Sequence, residues 1–63
     1  MPDYVLIFLD DDKKPLRRSV IAAAEDRAAL AVARIAFTHR RDGVDFTLWR
    51  GRHCVHPPRP PLP

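Results

Sequence analysis

The stretch Glu25-Asp26-Arg27-Ala28-Ala29-Leu30-Ala31-Val32-Ala33-Arg34-Ile35-Ala36-Phe37-Thr38-His39 lies between two blocks of β-type sequence and is built differently from both. It holds no Gly and no Pro, and Ala, the strongest helix former, recurs through it, so it predicts one helix. Acidic Glu25 and Asp26 suit the positive N-terminal end of the helix dipole, and His39, Arg40 and Arg41 suit the C-terminal end. Gly43 supplies a stop just beyond. On a helical wheel, Arg27, Arg34 and Arg41 fall in a narrow arc with Thr38 beside them. Ala28, Ala29, Val32, Ile35 and Ala36 take the opposite arc, while Leu30 and Phe37 flank the Arg stripe. The apolar surface therefore wraps more than half the helix, wider than a simple amphipathic stripe. Two readings fit that width: Ala tolerating exposure, or a helix covered on two sides.

Before this helix, Tyr4-Val5-Leu6-Ile7-Phe8-Leu9 is β-rich and apolar at every position. A half-exposed strand alternates; this one does not, so both of its faces call for cover. Asp10-Asp11-Asp12-Lys13-Lys14-Pro15 predicts a polar turn. Leu16 to Ala23 predicts a second strand, with Leu16, Arg18, Val20 and Ala22 on one face and Arg17, Ser19, Ile21 and Ala23 on the other. After the helix, Val44, Phe46 and Leu48 alternate with Asp45, Thr47 and Trp49 in a third strand. Arg50-Gly51 predicts a short hairpin turn, and Arg52 to Val55 a fourth strand. The proline-rich stretch 57–63 cannot pair inside a sheet and predicts a flexible polyproline tail. The order is ββαβ, extended to ββαββ by the last strand. It predicts an α+β domain over residues 1–56, with a small antiparallel or mixed sheet and one helix on one face.

Size limits what such a unit does alone. The chain has 63 residues, 46% hydrophobic and 30% charged, with a formal net charge of +3. That balance argues against a membrane span, a collagen-like chain and a wholly disordered tail. The length is too small for a dinucleotide domain, so no cofactor, small-molecule substrate or enzymatic activity is expected. One cysteine, Cys54, leaves no internal disulfide, and no four-ligand zinc spacing is present. Met1-Pro2-Asp3 lacks the basic start of an export signal, and with a single Cys the expected compartment is the cytoplasm. The chain has no Asn or Gln and nine Arg against two Lys, which favours GC-rich codons and points to a GC-rich bacterial genome. A chain this short buries only about 60% of its unfolded surface, and small folds commonly recruit a partner to bury more. The expected partner is a second copy, in a homodimer.

The residues Tyr4-x-x-x-Phe8-Leu9-Asp10, Ala29-Leu30-Ala31-x-Ala33-Arg34 and Leu48-Trp49-x-Gly51-x-x-x-Val55 resemble those of a group of small uncharacterised bacterial proteins of about this length. The likeness spans residues 4 to 55. It implies a ββαβ(β) fold and carries no established activity. Two departures stand out: Lys13-Lys14-Pro15 replaces the usual Gly-containing turn, and the tail after His56 is atypical.

Four constellations carry the functional expectations. The first is an interface formed by Tyr4, Leu6, Phe8 and Trp49, because one helix leaves one sheet face bare and Trp is enriched at interface hot spots. The alternative is a weak nucleic-acid-binding module using Arg27, Arg34, Arg41, Arg50 and Arg52. Residues 27–63 carry seven Arg against two Asp, whereas residues 1–26 carry four basic against six acidic side chains. No recognised nucleic-acid motif accompanies them, and a helix places charge toward water in any case. The third is Cys54 and His56, two apart on a strand and so on one face, close enough to share a metal if a second copy supplied two more ligands. The bland reading is an exposed terminal strand. Asp10-Asp11-Asp12 is the fourth; adjacent carboxylates on an extended chain do not converge on a cation, and a solvated turn is expected.

Overall fold

The computed structural model describes residues 1–40 and 43–57, Arg40 through its backbone only. Four strands and one helix run in the order β1 (Asp3–Leu9), β2 (Pro15–Ala22), α1 (Asp26–Arg40), β3 (Asp45–Arg50) and β4 (His53–His56). The strands form one antiparallel sheet in the order β2-β1-β3-β4, so the fold is α+β with the ββαββ sequence of elements. Both β2 and β3 run antiparallel to β1, hence parallel to each other. The segment joining them must cross over β1, and α1 is that crossover.

Each connection has a local cause. Lys13 NH donates to the Asp10 carbonyl at 3.0 Å, and Asp10 NH to the Lys14 carbonyl at 2.9 Å. The Asp10 carboxylate accepts from the amides of Asp12 and Lys14, both at 2.9 Å. Asp10 thereby folds the acidic run into a turn. Lys13 takes the left-handed position there, at φ 64°, where Gly or Asn is usual. At the other hairpin, Arg50 pairs with His53, so the turn is Gly51-Arg52, one residue later than expected. Gly51 sits at φ 60° as its first central residue, the pattern of a type II′ turn. Gly43 is required for a different reason: a side chain there would run into the Leu9 carbonyl. That carbonyl accepts from Val44 NH at 3.0 Å, seating β3 against β1.

The core lies between α1 and one sheet face. Tyr4, Leu6 and Phe8 from β1 and Phe46 and Leu48 from β3 meet Ala23, Ala29 and Ala33, with Ile21, Leu30, Ala36, Phe37 and Val55 packed around them. Of the wide apolar arc, only part turns inward. Ala29 and Ala33 are fully buried, while Val32 and Ile35 are 44% and 60% exposed. Small Ala side chains let the helix axis approach the sheet, and Leu30 and Phe37 reach down beside them. Phe37 lies 6.1 Å from Phe8 and 5.1 Å from Phe46 between ring centroids, and Phe46 stacks on His56 at 4.6 Å. This aromatic run fixes which side of the helix faces inward. Val44 precedes β3 and is exposed rather than aligned with Phe46 and Leu48.

Candidate functional site

The interface expectation is corrected at three of its four residues. Tyr4, Leu6 and Phe8 are 0%, 1% and 0% exposed beneath α1. They are the core of the single chain and present nothing to a partner. The opposite parity of β1, Val5 and Ile7, faces the uncovered side. Trp49 does lie on that side, half buried.

The strand registers align this open face. Val5 pairs with Val20 on one side and with Trp49 on the other, and Trp49 pairs with Cys54. Val20-Val5-Trp49-Cys54 is therefore one row of apolar side chains, one from each strand, across the full width of the sheet. The next row toward the β1–β2 turn is Arg18-Ile7-Thr47, and the row on the other side holds Ala22 and Asp3. Val5, Ile7, Arg18, Trp49 and Gly51 line a shallow depression of about 290 Å³. The Trp49 indole NH donates to Thr47 Oγ1 at 3.1 Å. The ring consequently folds back along its own strand, buries Thr47 and leaves the indole with its donor satisfied. Val20, at 67% exposure, marks how little covers the β2 end of the row.

A polar cluster stands at the start of α1. Asp26 Oδ1 accepts from the Tyr4 hydroxyl at 2.7 Å and from Arg50 Nη1 at 2.9 Å. His53 Nε2 lies 3.9 Å from Asp26 Oδ2. One carboxylate thus ties α1 to β1, β3 and β4. The hydrogen bond to Asp26 and, secondarily, burial hold the Tyr4 phenol above its ordinary pKa. The sequence placed Asp26 at a helix start but offered no signal for its three partners, which come from distant strands.

The arginine set is divided by the same cluster. Arg50 is engaged with Asp26, which offsets its charge. Arg27 and Arg34 are exposed on one side of α1, framing a shallow cleft with Leu30 and Ala31, and Arg52 sits exposed in the β3–β4 turn. Arg41 lies outside the described residues, as does the proline-rich stretch beyond Pro57. The Cys54–His56 alignment is also corrected. A bulge pairs Leu48 with His56 and Trp49 with Cys54, so one extra residue, Val55, separates the two rows. His56 stacks on Phe46 on the helix side, while Cys54 joins the open-face row. Among the described residues, no three His, Cys, Asp or Glu side chains gather as a metal-binding group. Among them, too, no helix is long and apolar enough to cross a membrane.

Comparisons with protein-family models, with curated proteins and with solved structures give no match to this chain.

Proposed function

We propose that this chain is a non-enzymatic homodimeric interaction or accessory protein of the bacterial cytoplasm, and that its open sheet face is the dimer surface. The observation that carries this reading is the uncovered row Val20-Val5-Trp49-Cys54. An apolar row spanning a whole sheet, with α1 committed to the other face, gains from being taken out of water. Sheets in two-layer folds cover such faces with another sheet, and a second copy supplies one without any further sequence. The single free Cys54 and the Arg-rich, Gln-free composition support the compartment and source.

Trp49 is the only tryptophan, so its emission reports this face alone. Its fluorescence shifts to shorter wavelength as concentration rises, and Trp49→Asp gives a folded chain that stays monomeric. Emission independent of concentration, together with a dimer in the variant, would contradict the reading.

A second reading is weak nucleic-acid binding through Arg27, Arg34 and Arg52, favoured by the exposure of Arg27 and Arg34 along one helix side. Binding of a generic duplex or single strand that weakens steeply with salt would support it. No binding at low salt would end it.

A further inference from the structure

We propose that the two copies meet face to face about a twofold axis running across the strands, along the Val20-Val5-Trp49-Cys54 row, so that Arg18 of each copy stands beside Asp3 of the other. This rests on the dimer proposed above and specifies its geometry.

The open face has a sign pattern along the strand direction. Arg18 occupies the row on one side of the apolar line, and Asp3 the row on the other, each two residues from it by register. Both are exposed at the face margin. An isologous interface must be complementary to itself under its own twofold. Two axes in the plane of the interface are available to stacked sheets. An axis parallel to the strands keeps each row opposite its own copy, so the row Arg18 meets, Arg18-Ile7-Thr47, holds no acidic residue. It also sets β4 against the partner's β2, separating the two Cys54 side chains by the width of the sheet.

An axis across the strands exchanges the outer rows. Arg18 on β2 then faces the row that holds Ala22 and Asp3, and its long side chain reaches the neighbouring β1 carboxylate. The same operation occurs twice, once on each side of the dyad. Along the dyad itself, like meets like: Val5 on Val5, Trp49 on Trp49, Cys54 on Cys54. Charge pairs at the margin then fix direction, while the central apolar row supplies the driving force. The face is small. Four strands at ~4.8 Å spacing and three rows along them cover only a few hundred Å² per copy, so the dimer belongs with weak, reversible interfaces of roughly micromolar affinity.

Charge reversal and cross-linking through the single cysteine test the axis in the full chain. Dimer affinity is measured by sedimentation for the wild type, Arg18→Asp, Asp3→Arg and the double variant, with circular dichroism confirming that each is folded. Each single reversal weakens dimerisation by about fivefold to tenfold, because it places like charges together on both sides of the dyad. The double variant returns to within about threefold of the wild type. A bismaleimide with a reach near the ~10 Å spacing of packed sheets joins two chains through Cys54. Single reversals that leave the dimer unchanged, a double variant no better than the singles, or a dimer that resists the cross-linker would overturn the axis while leaving the dimer standing. A wild type that stays monomeric up to millimolar concentration would overturn both.

Discussion

Lys13 and Tyr4 show how single positions carry measurable consequences. Lys13 is held at φ 64°, a conformation that costs an L-residue with a Cβ about 1–2 kcal/mol. Its side chain is exposed. Lys13→Gly relieves the strain at some cost in unfolded-chain entropy, for a net gain of about 0.5–1 kcal/mol. The urea midpoint rises with an unchanged slope; a lower midpoint would contradict this account of the turn. Tyr4 is the only tyrosine, so absorbance follows it alone. Its folded pKa is raised, because ionisation gives up the hydrogen bond the phenol donates to Asp26 and, secondarily, charges a buried group. Its contribution to stability is therefore fully present below the unfolded value of about 10 and is lost as pH rises through the higher folded value. Native protein ionises Tyr4 at higher pH than urea-unfolded protein. Coincident titrations would show that the Tyr4–Asp26 bond does not persist in solution. Neither the bond nor the left-handed lysine was legible beforehand, since one depends on a contact between residues 4 and 26 and the other on the exact turn geometry.

The secondary elements were readable because their periods differ. Alternation in β3, the Gly-free Ala-rich run of α1 and the Gly51 turn each have a local cause, and their boundaries shift by only a residue or so. The inward side of α1 is not legible in the sequence, because Ala carries little information about facing. The apolar arc includes Val32 and Ile35, but packing follows Leu30 and Phe37, which meet the sheet beside small Ala29 and Ala33. An unalternating β1 hides its parity in the same way. Nothing local distinguishes Tyr4, Leu6 and Phe8 from Val5 and Ile7 until β2 and β3 are in register. The corrected face makes opposite forecasts for neighbouring residues. Ala33→Leu overfills the helix–sheet contact and costs about 1–3 kcal/mol. Val32→Ser and Ile35→Ser each stay within about 0.5 kcal/mol, as exposed substitutions do. Thermal unfolding followed by circular dichroism ranks the three, and the reverse order would contradict this facing of the helix.

Taken together, the elements make a two-layer unit with one layer open. The sequence implied that a bare sheet face would exist, since it contains one helix and one sheet. It did not reveal which residues line that face, because the central β1–β3 pairing arises from a crossover and not from neighbouring segments. Once that order is known, Val20, Val5, Trp49 and Cys54 fall into line, with Arg18 and Asp3 on either side. The same order draws Arg50 to Asp26 and breaks up the arginine set. Association through the open row is accordingly the property on which the functional reading stands. Light scattering after size exclusion, across a dilution series from about micromolar to about millimolar to span a weak interface, measures it. The mass is predicted to rise toward twice 7.2 kDa as concentration increases. A folded chain that stays at 7.2 kDa throughout would contradict it.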